Sequence, residues 1–302
     1  MPLTKSDWQK IDLIVKQSFN ELVSMGEKLL QKDSSNQIAY ERKRTEKFQR
    51  NLYSIWKKPL DLLQLLIDSS MEIGERAKTK MANGKKHITN PRYVALIKIH
   101  ARSVHISNEI FSLLRSGYAD GANARWRSLY ELTAIFLMLK DSNDVMSMRY
   151  LEHQVLKKFK NLNDYQKYSS KIGYRPVSKK EYTASKKIHD NLLVKYTPDF
   201  RGDYGWIDKL VLSDRNFKKL AEFVGIDGYY PFYNMSSDSV HGGAAGFYRM
   251  GLMDSRQNKV FLVGPSVYGL ADAIQNTAYC LNLIDANLLT LHLHQILNFI
   301  LR

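Results

Sequence analysis

A single cysteine, Cys280, occurs in the 302 residues. No disulfide can form within one copy, and no cysteine-based metal site can be assembled. A lone thiol inside the apolar stretch NTAYCLNLIDANLL is more often a packing residue than a reactive one. One cysteine also fits a reducing, cytoplasmic setting. Prolines number seven and glycines sixteen, few for this length, so the balance leans towards helix. No uninterrupted apolar run is long enough to span a bilayer. The start, MPLTKSDWQKID, is polar and lacks the apolar centre of a signal peptide. Glycine-rich phosphate loops, zinc-ligand spacings and a nucleophile elbow are all missing. His292 and His294 are two apart, the wrong spacing for one metal on a helix, and His100 with His105 is no better placed. Neither a metal nor a cofactor is expected.

The residues present describe a globular protein, 44% hydrophobic and 25% charged. The net charge is +15, and it is clustered. Residues 41–102 carry 15 basic and 6 acidic side chains, and residues 149–219 carry 17 and 8. Each stretch is +9, leaving −3 for the remainder. Clustered basic excess points to a polyanion, nucleic acid or an anionic membrane surface, or to a lysine-rich face that only aids solubility.

Apolar spacing predicts helix over about 5–31, with Trp8, Ile11, Phe19, Leu22 and Met25 on one side. KDSSNQ is expected to break it, and a second helix to start near Ile38. Pro59 should interrupt or kink that helix before it continues to about Ala82. Further helices are predicted over 92–114, ended by Gly117, and over 119–140 and 143–170, with a shorter one in SKKEYTASKKIHDNLLVKY after a serine cap and a short capped one in SDRNFKKLAEFVG. FYRMGLM and KVFLVG, flanking DSRQN, suggest a late β-hairpin. Residues 266–300 should form one long terminal helix that docks the C-terminus. No internal repeat or linker emerges. The expected architecture is all-α: one multi-helix domain over 1–302, with 1–90 as a separable subdomain and 91–302 as its core.

On the predicted 119–140 helix, charge sits at the mouth of an apolar run. Arg127 and Glu131 are four residues apart on one face, while Arg125 points elsewhere. Buried charge must be paired and hydrogen-bonded. Two readings follow. The pair locks helix packing, or it forms a polar pocket in which arginine grips an anion and glutamate orients it or acts as base. Arg149 and His153, in RYLEH, repeat the spacing, and a nearby arginine lowers a histidine's proton affinity. The segment SSDSVHGG supplies Ser237 and His241, or simply a helix stop with a cation at its C-terminal end. Lys157, Lys158 and Lys160, together with Arg125, are the expected nucleic-acid contacts. Tyrosine interleaved with lysine, as in NDYQKYSSKIGYRP, suits RNA or single strands.

LLRSGYADGANARWRSLYELTAIFLML, then RYLEH, then YNMSSDSVHGG, resemble a bacterial family known as a domain of unknown function. That family pairs an "aRwRtLhE"-like helix with a downstream "RY" helix and a late "S…H" segment. The resemblance covers about residues 95–250 and implies an all-helical fold. A looser resemblance is to the HEPN helical ribonucleases of toxin and phage-defence systems. Their arginine and histidine are separated by four to six residues and act in a dimer to cleave RNA. Here three residues lie between Arg149 and His153, and two between Arg102 and His105. On that resemblance cleavage needs no metal. His153 or His241 activates the 2′-hydroxyl, and Arg127 or Arg149 steadies the phosphate.

Three functional expectations result. The first is a cytoplasmic protein of defence or toxin type that binds RNA or another nucleic acid, with or without cleaving it, its site gathering Arg127, Glu131, Arg149, His153, Ser237 and His241. The second is a non-enzymatic interaction module in which the same residues form a buried network and the basic helices dock a partner protein or a second copy. The third, ranked below both, is a small-anion sensor using Arg125 and Arg127.

Overall fold

The computed structural model describes the backbone of residues 5–83, 90–238, 240 and 263–300. Among these residues the chain is helical and contains no strand. The helices are α1 (Lys5–Asn83), α2 (Pro91–Arg115), α3 (Ala119–Lys140) and α4 (Asp144–Tyr168), then α5 (Lys179–Tyr196), α6 (Phe217–Phe223), α7 (Tyr230–Ser237) and α8 (Leu270–Ile300). The segments of the expected hairpin, 247–253 and 259–264, fall outside the described residues except at their last two positions, 263 and 264, which are not strand. The terminal helix begins at Leu270, four residues later than the spacing suggested.

The chain divides into two compact units, residues 1–55 and 56–302. In the first, the expected break at KDSSNQ does not occur: Lys32–Gln37 are helical. Serine, aspartate and asparagine are weak helix formers but not breakers, and the flanking segments are rich in leucine, lysine and glutamate. Pro59 also lies inside the helix rather than ending it.

In the second unit side-chain caps start three of the longer helices. Asn90, Asn143 and Ser178 each accept a hydrogen bond from the amide three residues on, starting α2, α4 and α5. Gly117 adopts φ 81° after α2, and Tyr118 N–H returns to the Leu113 carbonyl at 2.9 Å. α2 packs on α3, α4 and α8, while α3 also meets α6, α7 and α8. From α1, Leu60, Leu63, Ile67 and Ser70 are buried at three- and four-residue spacing, with Ala77 seven residues further on the same helical face. α3 is the central helix: Trp126, Leu129, Tyr130, Ala134, Phe136 and Leu139 have no exposed surface. Each such large apolar side chain contributes roughly 1.5–3 kcal/mol on burial.

Candidate functional site

Arg127 and Glu131 sit on α3 just outside the fully buried stripe, and both are half-buried. They do not pair with each other within 4 Å among the described residues. Tyr233 of α7 stands between them. Its hydroxyl donates to Glu131 Oε1 at 2.7 Å, and the Arg127 guanidinium lies 4.3 Å from its ring centre. Burial, then the Glu131 carboxylate, push the Tyr233 phenol up to about 12, with Arg127 opposing. The phenol therefore stays a donor at any ordinary pH. Arg127 Nε is buried without a hydrogen-bond partner, so the π-face of Tyr233 supplies part of its compensation.

Arg149 and His153 are one turn apart on α4, and both turn to backbone carbonyls of the 199–206 segment. Arg149 donates to Trp206 O at 2.9 Å and to Gly205 O at 3.0 Å. It also lies over the rings of Tyr196 and Phe200. His153 Nε2 is 3.1 Å from Phe200 O and 2.9 Å from Gly202 O. Two carbonyl partners fix the proton on Nε2 and leave Nδ1 bare. Burial first, then Lys157, hold the imidazole below its usual range, against the pull of the two carbonyls and Asp203. Arg215 adds bonds to Asp199, Gly205 and Ile207 carbonyls. Among the described residues the segment has no strand partner for these carbonyls, so Arg149, Arg215 and the neutral His153 serve them.

That segment forms one wall of a half-open cleft of about 590 Å³, completed by α2, α3 and α4. Glu131 and His153 both line it, with Tyr150, Tyr204 and Trp206 as its aromatic surface. Lys98, Arg102 and Lys157 supply cations. Burial, and then the Glu131 charge, raise the Tyr204 phenol strongly. A second cavity of about 430 Å³ shares His153, Lys157 and Asp203 with the first and so adjoins it, adding Lys160, His189 and Arg201. Such a cleft can take an anion at its basic side and a flat ring against its tyrosines, with two carboxylates, Glu131 and Asp203, on its lining.

Of the expected site residues, then, Glu131 and His153 meet in one cleft. Arg127 lies behind Tyr233, and Arg149 is held by carbonyls. Ser237 Oγ donates to the Tyr233 carbonyl in its own helix, 3.1 Å away. His241 lies outside the described residues. Arg125 pairs with Glu109, which also receives His105 at 2.9 Å and Arg102 at 3.9 Å. Lys157, Lys158 and Lys160 are exposed along α4. Tyr233, Tyr204 and Lys98 were not singled out by sequence. Tyr233 is 102 residues from its partner Glu131, and no local pattern announces such a contact.

A separate network is fully enclosed. His100 Nε2 lies 2.9 Å from Asp285 Oδ1, and Ser70 Oγ donates to Asp285 Oδ2. These three come from α2, α8 and α1, and all are buried. Gly74 faces the imidazole so closely that a Cβ there would stand 2.8 Å from Cε1 of His100. Among the described residues no three metal-ligating side chains converge. No helix of the described residues is long and apolar enough to cross a membrane. Cys280 is wholly buried, and burial pushes its thiol up to about 12, a packing group rather than a nucleophile.

Comparison with characterised proteins and with solved structures gives no match. The looser likeness to HEPN ribonucleases therefore has no counterpart among the findings. Residues 93–259 match a family that runs from α2 through the SSDSVHGG segment and beyond it, containing every residue discussed for the cleft. On that match the chain belongs to the family of unknown function DUF5677.

Proposed function

We propose that this protein binds RNA, as a single strand, in the cleft between α2, α3, α4 and the 199–206 segment. The observation that carries the reading is the convergence there of Lys98, Arg102 and Lys157 with Tyr150, Tyr204 and the Glu131 carboxylate. Cations meet phosphates, tyrosine faces stack bases, and a buried-edge carboxylate accepts from a sugar hydroxyl. The adjoining cavity with Lys160 and Arg201 extends the basic track to a neighbouring phosphate. Metal-independent scission is part of the proposal. Glu131 takes the 2′-hydroxyl proton, the 2′-oxygen attacks the adjacent phosphorus, and the 5′-oxygen leaves, gaining a proton from water. The products are a 2′,3′-cyclic phosphate and a 5′-hydroxyl. Arg102, on the lining of the cleft, steadies the charge that develops on the phosphate.

A fluorescence-anisotropy titration with labelled single-stranded RNA tests it. Lys98→Glu with Arg102→Glu should weaken binding at least tenfold and flatten its salt dependence. Glu131→Gln should keep binding and abolish the cyclic-phosphate product in the presence of chelator. Binding unaffected by the double substitution would place the RNA elsewhere.

A second reading is favoured by one specific observation: Arg149 and His153 are occupied by backbone carbonyls. On that reading the network is purely structural and the basic helices dock a partner protein. It predicts no RNA affinity beyond a nonspecific, salt-labile one.

A further inference from the structure

We infer that residues 8–25 of α1 pack against the same residues of a second copy, so that the protein pairs through its first unit. Trp8, Ile11, Ile14, Val15, Phe19, Leu22 and Met25 are all exposed. At 100° per residue they fall within one arc of about 140°. Asp12 borders the arc and Ser18 lies inside it, whereas Lys10, Lys16, Gln17, Asn20 and Glu27 lie outside. A helix so patterned is built to bury that face. Trp8, Ile11, Val15, Leu22 and Met25 also keep the alternating three- and four-residue step of a helix–helix seam, interrupted only by Ser18.

Charge identifies the occupant. The chain is +15, so two copies repel over most of their surface. Residues 5–28 are the exception, with Lys5, Lys10, Lys16 and Lys28 balanced by Asp7, Asp12, Glu21 and Glu27. Two like copies can meet there without a net electrostatic penalty. A helix that lies on an anionic membrane carries a lysine-rich polar face instead, which this one does not have. The area is also sufficient. At roughly 60–120 Å² of apolar surface per large side chain, seven from each copy cover about 800–1,700 Å², reaching the range of stable interfaces.

Sedimentation velocity on the full chain, over a wide range of micromolar concentrations, tests the inference. The wild type should run near twice 35.0 kDa. Leu22→Glu should run as the monomer. Leu13→Glu adds the same charge to an exposed position on the opposite side of the helix and should remain paired. With Trp8→Phe as the common background, emission comes from Trp56, Trp126 and Trp206 of the second unit; it should be the same in all three and certifies that this unit stays folded. A monomeric wild type would overturn the inference, as would pairing that survives Leu22→Glu. A monomer that binds anionic vesicles would overturn it in favour of a membrane surface.

Discussion

Tyr233 donates its phenolic hydrogen to Glu131 across 2.7 Å, joining α7 to α3 at the edge of the cleft. The same ring carries Arg127 on its face. One residue thus donates to a carboxylate and covers a guanidinium, both of them half-buried beside the core. The carboxylate is held with one oxygen engaged, and its remaining acceptor capacity faces the cleft.

Tyr233→Phe should separate the two functions of this ring. The phenylalanine keeps the cation–π contact with Arg127 and loses the bond to Glu131, costing about 1.5–3 kcal/mol as a hydrogen bond to a charged group. Tyr233→Leu should cost about 0.5–2 kcal/mol more, for the lost ring face. Urea unfolding of the two variants beside the wild type gives both differences.

His153 makes stability depend on pH in a stated direction. Its folded imidazole is held below the ordinary value of 6.5, first by burial. The unfolded chain therefore takes up a proton before the folded one does. The contribution of this site is fully present above pH 6.5 and is lost as pH falls below it towards the depressed folded value. His153→Gln can still donate to the carbonyls but does not titrate. The wild type minus variant difference in unfolding free energy should shrink as pH is lowered from 8 to 5. A difference flat across that range would mean the histidine is not held neutral.

Gly74 and His100 should be strongly non-additive. A methyl group at 74 would press into the imidazole, so Gly74→Ala destabilises while His100 is present. In a His100→Ala background the same change should be neutral or stabilising, since alanine favours helix by about 1 kcal/mol over glycine. Asp285→Ala strands His100, while Ser70 keeps the Leu66 carbonyl as acceptor, and should cost about 1–3 kcal/mol. Thermal unfolding of the four-member cycle resolves the coupling.

Gly205 sets the wall of the cleft. A Cβ there would overlap the Phe200 carbonyl, which is one of the two acceptors for His153. Gly205→Ala should therefore displace the segment, destabilise by about 1–3 kcal/mol, and weaken RNA binding through loss of the Tyr204 position. Tryptophan emission from Trp206, next to the substitution, should change as well.

Much of this fold was legible because its signals are local. Ser178 caps α5, as the serine before that helix suggested, and Gly117 closes α2 with the left-handed geometry only glycine takes cheaply. The central place of α3 follows from its apolar run, Leu132–Leu139. The continuity of α1 through KDSSNQ was not legible, because weak helix formers carry no fixed sign and neighbouring strong formers decide the outcome. The site was half legible. Glu131 and His153 stand out as polar groups beside apolar ones, and both reach the cleft. Their partners do not stand out. Tyr233 lies 102 residues from Glu131, and His153 bonds to main-chain carbonyls, which no side-chain pattern can reveal. The expectation that Arg127 and Glu131 pair with each other or with another helix resolves into the second form. Arg125 likewise finds Glu109 on α2, sixteen positions away and invisible to helical spacing.

The central claim is that the cleft holds RNA, and the most direct measurement is a photocrosslink. Single-stranded RNA carrying 4-thiouridine is bound to the full protein, irradiated, and the attached peptides are sequenced. The account predicts attachment at Tyr150 and Tyr204, and loss of both crosslinks in Lys98→Glu with Arg102→Glu. Crosslinks confined to residues 41–58, or none above those of a basic control protein, would contradict it.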